Sequence, residues 1–235
     1  MGYKLTWIYM RPNGVEKQIR PTWWQPWVNT IAYYPLNSTD TINDKSWNSR
    51  NLTNNWLTFW TYNWVDCANM TSNVYAYSTD IPLPSWANSR TISFWFYDTS
   101  RVNDTYWCAY GSHSTWNFFA PRINSSRYSF MGYARDFNTS TTVSTWVWKL
   151  ITVTYDWATV KYYLNWSNIW SSDLSLNTTA VGSTRKFVIW CRLDSSANPN
   201  QYVKWYMSNM ILEDKARTAQ DVSDYYNLTK SNYWL

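Results

Sequence analysis

Apolar and polar residues alternate along most of this chain in short runs, separated by clusters rich in Asn, Asp, Ser, Thr and Trp. A period of two marks strands, because successive side chains of a strand face opposite ways. The pattern predicts strands over residues 31–36, 57–66, 73–77, 91–97, 118–123, 127–136, 149–155, 159–164, 186–191 and 202–212. Many short strands with turn residues between them specify an all-β chain folded as an antiparallel sandwich or barrel. In 91–97 both faces are apolar, Ile92, Phe94 and Phe96 on one and Trp95 and Tyr97 on the other, as in a strand central to its sheet. In 127–136, Tyr128, Phe130, Gly132 and Ala134 share the core face, while Ser129, Met131, Tyr133 and Arg135 point away. Tyr133 and Arg135 are therefore candidate carbohydrate-contacting or partner-contacting residues, although an ordinary wetted sheet face has the same pattern.

A short helix is predicted over 216–227, where Thr218 stands three residues before Asp221 in a capping arrangement and Val222, Tyr225 and Tyr226 supply an apolar side. Residues 1–29 differ from the rest, with one strand-like run at 3–10 followed by Pro12, Pro21 and Pro26. They read as an extended N-terminal arm or linker, leaving 30–235 as a single sandwich domain.

The region 146–170, WVWKLITVTYDWATVKYYLNWSNIW, contains two strand-like runs joined by Asp156-Trp157-Ala158, with Asn165-Trp166 after the second. A tight return between strands needs residues that tolerate φ > 0, which is why Asp-Gly and Asn-Gly are the strong hairpin signals. Trp stands where Gly belongs, twice. The composition repeats the anomaly, with 20 Trp against 5 Gly, where average usage puts Gly alone near 7%. One explanation is a chain truly rich in Trp; the other is that many Trp letters stand for glycine codons. Some bacteria and their phages use UGA for glycine, and a translation that reads UGA as Trp alters only those glycines. Keeping Trp95 and Trp148, which sit where strands need a large aromatic, and moving the rest gives about 23 Gly, close to ordinary usage.

With Gly at the turns, residues 30–227 carry four motifs in order: IAYYPLNSTDTINDKSWNSRNL, TISFWFY, the 146–170 hairpin, and YMSNMILEDKARTAQDVSDYYN. Together these resemble the laminin-G-like branch of the concanavalin A-like lectin/glucanase superfamily, with Trp148 in the place of the hairpin's own Trp and Ser208 where an acidic residue is common. The resemblance implies a jelly-roll of two antiparallel sheets. It leaves function open, because members of one fold do different things. Some laminin-G-like domains hold Ca²⁺, a hard cation bound by oxygen ligands; the spacing here names no ligand set, and no other cofactor is expected.

Enzymes of that superfamily are glycosidases with a pair of acidic residues at the scissile bond, and their E-x-D-x-x-E motif is absent. The two Glu, Glu16 and Glu213, lie far apart in sequence; Asp66, Asp136 and Asp194 remain as carboxylates that could converge. The lone His113 has no triad or zinc pattern around it. Net charge is +5 with Lys and Arg scattered, which argues against nucleic acid. Cys67, Cys108 and Cys191 are odd in number and widely spaced, so buried free thiols are expected. No apolar run reaches membrane-span length, and no signal-peptide core is visible at the N-terminus. The expectation is a non-enzymatic adhesion module at a virion or extracellular surface, recognising carbohydrate or a cell-surface receptor, with the arm contacting other virion proteins. A divergent glycoside hydrolase and a purely structural virion protein are the alternatives.

Overall fold

A computed structural model describes residues 29–70, 73–99, 104–111, 117–132, 134, 136–178, 187–194 and 198–235. The expected arm, apart from Asn29, lies outside these residues, as do Tyr133, Arg135 and His113.

The chain folds as a two-sheet antiparallel sandwich with one short C-terminal helix. The first sheet runs in the order Ser167–Asp173, Thr159–Leu164, Trp148–Tyr155, Arg90–Tyr97, Trp205–Glu213, Val65–Met70, Thr58–Tyr62, with Thr30–Tyr34 also paired to Trp205–Glu213. The second runs Phe137–Thr142, Arg127–Met131, Phe118–Asn124, Cys108–Gly111, Phe187–Ile189, Tyr75–Ser78, Thr53–Asn55, with Thr105–Tyr106 beside Phe118–Asn124. Arg192–Leu193 and Pro199–Asn200 make a separate small ladder.

The strand Arg90–Tyr97 is central and buried along its whole length. Ile92, Phe94 and Phe96 enter the core between the sheets, while Trp95 and Tyr97 belong to a second cluster on the outer face of the first sheet. The helix Ala219–Thr229 lies over that outer face through Val222, Tyr225 and Tyr226. Its start follows from sequence: Thr218 accepts from the Asp221 N–H, and Asp221 returns the bond to the Thr218 N–H. All three cysteines are buried and none is in a disulfide, and burial pushes Cys67 up to about 12.

Two predicted strands are shorter than expected. The run 57–66 is cut by Asn63 and Trp64, both at positive φ (47° and 65°), into a hairpin of Thr58–Tyr62 and Val65–Met70. The run 127–136 ends at Met131, and a separate edge strand, Phe137–Thr142, follows. In the first case the chain reverses where the letters alone show no glycine; in the second, Gly132 directly follows the last strand residue.

Tryptophan geometry divides sharply. Trp56, Trp64, Trp86, Trp146, Trp157, Trp190, Trp205 and Trp234 all have φ between 55° and 129°, a region that is a steric outlier for a bulky residue and open to Gly. Trp157 is 73% exposed at its turn and Trp166 55% exposed, although beside Trp166 it is Asn165 that takes the positive φ. Trp95 and Trp148 are buried with ordinary backbone. Trp107, expected among the glycines, instead sits fully buried against Phe94, Phe96 and Tyr128 without a positive φ. An aromatic side chain filling the core there is a better fit than a glycine.

Candidate functional site

The outer face of the second sheet carries a cluster that the hydrophobic pattern does not account for. Its floor is apolar and built from alternate residues of successive strands: Tyr75, Val188, Ala109, Phe118, Ala120 and Met131. Val188 is paired with Tyr77 on one side and Ala109 on the other, so small residues in the middle are flanked by tyrosines. The rings of Tyr77, Tyr75 and Tyr202 follow one another at centroid separations of 5.9 and 6.3 Å.

Arg122, from the strand Phe118–Asn124, rises through this face and is 8% exposed. Its Nη1 lies 2.8 Å from the Tyr106 hydroxyl and 3.4 Å from the Asp104 carboxylate. Its Nη2 is 3.6 Å from Asp136, and its Nε donates to Ser129 Oγ at 3.3 Å. Gln201 donates from its side-chain amide to the other oxygen of Asp104. The Arg192 guanidinium stands 5.4 Å from the Tyr106 ring centroid and donates to Asn200. Burial pushes the Tyr106 phenol above its usual range, while Arg122 and Arg192 pull it back.

Ser129 and Met131 are part of this face, and Tyr128 and Phe130 are in the core, so the predicted two-sided reading of 127–136 is correct for these four residues. Tyr133 and Arg135 themselves lie outside the described residues. Arg122 could have been noticed as a charge interrupting an apolar run. Asp104 and Gln201 gave no signal, since each sits at a turn far away in sequence.

The carboxylates singled out from sequence do not come together. Asp136 faces Arg122 in the second sheet; Asp66 accepts from the Ser38 N–H and hydroxyl beside the first; Asp194 accepts from the Asn198 N–H in the small ladder. Glu213 is held at 2.6 Å by Arg217. Among the described residues no three His, Cys, Asp or Glu side chains form a metal-ligand group, and no helix is long and apolar enough to cross a membrane.

Among the described residues two sizeable clefts open elsewhere, apart from a small one of about 130 Å³ at Ile81, Leu83 and Tyr110. One of about 580 Å³ is lined by Tyr33, Asp40, Lys45, Asp66 and Asn209, but these groups are already bonded to one another or to neighbouring loops: Tyr33 to Asn209, Asn209 to Tyr233, Lys45 to Asp40, and Asp66 to Ser38. The other, about 840 Å³, is walled partly by Trp157, whose side chain stands at a glycine-like position. The face around Arg122 is the better candidate, because cations, carboxylates and aromatic rings meet there on a rigid sheet.

The fold is that of a jelly-roll sandwich, and its similarities to solved structures agree. Domain 4 of AbnA, a GH43 extracellular arabinanase from Geobacillus stearothermophilus solved with arabinotriose, superposes with TM-score 0.67 at 15% identity, over 83% of this chain and 97% of that one. The binding domain of Paraclostridial Mosquitocidal Protein 1 gives 0.66 at 16% identity, over 86% of this chain and 53% of that one. A botulinum neurotoxin type C structure, whose cell entry depends on two ganglioside molecules, gives 0.60 at 14% identity, over 85% of this chain and 51% of that one. This chain thus spans about half the length of the two toxin structures. No family model matches the sequence, and no curated protein sequence matches it.

Proposed function

We propose that this domain is a non-enzymatic binding module of the laminin-G-like type that recognises carbohydrate or a cell-surface receptor. The observation that carries this reading is the cluster of Arg122, Asp104, Asp136 and Tyr106 on an aromatic-flanked sheet face. The likenesses to a domain solved with arabinotriose and to a ganglioside-dependent toxin support it. A glycosidase is disfavoured because the guanidinium of Arg122 stands between Asp104 and Asp136, where a substrate bond would have to lie. Tyr133 and Arg135, which the two-residue alternation of the sequence groups with Ser129 and Met131, are the further contacts we propose. The test is a broad glycan array with the intact chain and the Tyr133→Ala and Arg135→Ala variants. Binding lost in the variants is expected; silence of the wild-type chain across the array would overturn the reading.

We further propose that the Trp at positive φ are glycines in the native protein, encoded by UGA. The eight positive-φ tryptophans support this, and so does the type of turn they occupy: Asn63-Trp64 holds both central residues at φ > 0, the arrangement for which Asn-Gly is preferred. Trp107 joins Trp95 and Trp148 as a genuine aromatic. Such a code belongs to certain bacteria and their phages, which supports the reading of the domain as part of a virion or cell surface. Peptide mass spectrometry of the native protein reads residues 64 and 157 directly, and Trp at both would refute the proposal; finding the protein in purified particles would fix its place.

A further inference from the structure

Two residues beside Arg122 are in the left-handed backbone region although neither is glycine: Asp104 at φ 54° and Gln201 at φ 52°. Such a conformation persists only where the surroundings enforce it. Here the two strained residues are bonded to each other through the Gln201 amide and the Asp104 carboxylate. The backbone ties the same pair of segments, with the Tyr106 N–H donating to the Gln201 carbonyl at 3.2 Å. Arg122 is fixed from three sides by Tyr106, Ser129 and Asp104, and is nearly buried. The carboxylates at its two ends remain open, the Asp104 side chain being 46% and the Asp136 side chain 36% exposed. The side-chain amide oxygen of Gln201, Oε1, is buried without a hydrogen-bond partner.

Resting on the carbohydrate reading above, we infer that this row is the ligand-receiving site, that Asp104 and Asp136 accept hydroxyls of the sugar, and that the ligand is a neutral oligosaccharide. An ionised carboxylate is an acceptor only and a guanidinium a donor only. A sugar hydroxyl is both, so it bridges carboxylate and guanidinium without leaving either unsatisfied. A sialylated or sulfated ligand would bring its charge against two exposed carboxylates; the guanidinium between them is already shared by both, and Arg192 on the same face is engaged with Asn200 and the Tyr106 ring, so like charges placed together in this way weaken binding. Tyr202 and Tyr77, partly exposed on either side of the buried Tyr75, continue the row and offer rings for the apolar faces of further sugar units. The polar groups are preset by the sheet, so little ordering opposes binding.

The experiment is isothermal titration of the intact chain with array-selected neutral oligosaccharides and with sialylated and sulfated counterparts, for wild type, Asp104→Asn, Asp136→Asn and the distant control Asp66→Asn. Asn keeps the shape and removes the charge. Each site variant is expected to lose about tenfold or more in affinity for the neutral ligand, with Asp66→Asn unchanged. Asp136 has a single long ionic contact, so its variant keeps the fold even if Asp104→Asn does not; near-UV circular dichroism checks this. Undiminished binding by a folded Asp136→Asn variant overturns the assignment of the site, and a preference for anionic glycans overturns the ligand class. A wild-type chain that binds no glycan of either kind overturns the carbohydrate reading itself.

Discussion

Asn63 and Trp64 occupy the two central positions of the hairpin between Thr58–Tyr62 and Val65–Met70, at φ 47° and 65°. Asn tolerates that conformation; Trp does not. The Trp64 side chain has little to offset the strain, being 81% exposed. Replacing it with Gly relieves roughly 1–2 kcal/mol of left-handed strain, against about 0.5–1 kcal/mol for glycine's greater loss of chain freedom on folding. Trp64→Gly is therefore expected to raise stability by up to about 1 kcal/mol in urea unfolding, with Trp157→Gly moving the same way. If both variants are less stable than the written sequence, Trp belongs at these turns.

The opposite sign is expected in the core. Trp107 is fully buried against Phe94, Phe96 and Tyr128, and Trp148 is packed against Tyr97 and Tyr233. Removing an indole at such a site costs about 3–5 kcal/mol. Trp107→Gly and Trp148→Gly should each unfold the domain at markedly lower urea concentration, and a neutral outcome at residue 107 would return it to the set of misread glycines.

The pattern of signs explains what was legible. Two-residue periodicity marked both faces of Arg90–Tyr97 and of Tyr128 to Met131, because burial on a sheet is enforced residue by residue. The capping of the helix was legible for the same local reason. The turn at Asn63-Trp64 was not, since Trp is written as a strand-favouring residue and the expected strand ran straight through it. Nor was the Arg122 cluster: Asp104 and Gln201 meet across 97 residues of chain, a juxtaposition set by topology that no local spacing encodes.

Gly111 offers a test where the letter really is glycine. It lies at φ 97°, and a Cβ built there would stand 2.0 Å from the Asn117 carbonyl oxygen. That oxygen belongs to the backbone and cannot swing aside. Gly111→Ala is expected to cost about 3 kcal/mol or more, among the larger effects of a single substitution. A melting temperature within a degree or two of wild type would mean that the Asn117 carbonyl shifts to admit the added Cβ.

The helix cap gives an acid-side prediction. Partial burial works against ionisation of Asp221, yet hydrogen bonds from Thr218 and the nearby Lys215 ammonium hold its carboxyl below the usual range. A depressed folded value stabilises the fold above the unfolded value and is lost as pH falls through the folded one. Thr218→Ala removes one half of the reciprocal cap and should cost about 1 kcal/mol at pH 7. Asp221→Asn should flatten part of the acid limb of the stability curve, and an acid limb identical to wild type would show that the cap is idle.

Lys149 sets the alkaline side. Its ammonium is buried at the edge of the core, where it donates to the Ser144 carbonyl. Burial pushes it down from 10.5 to about 8, against the pull of Asp98. Below pH 8 the amine is charged in both states and the cost of burying the charge is fully present. Between about pH 8 and 10.5 the folded chain releases a proton that the unfolded chain keeps, so this group's contribution to stability rises with pH. The tyrosines act in the other direction: burial first, with the neighbouring Tyr62 adding to it, pushes Tyr97 up to about 12, so above pH 10 the unfolded chain ionises first and stability falls. The buried thiols also act against the lysine, from about pH 9, with burial pushing Cys67 up from 9.0 to about 12 and raising Cys108, so the rise is confined to about pH 8–9 and maximum stability falls near about pH 9. Urea midpoints from pH 7 to 11 read this directly, and Lys149→Met should abolish the rise while leaving the tyrosine fall. A wild-type midpoint that declines steadily from pH 8 would mean the ammonium reaches solvent and Lys149 is not buried as a charge.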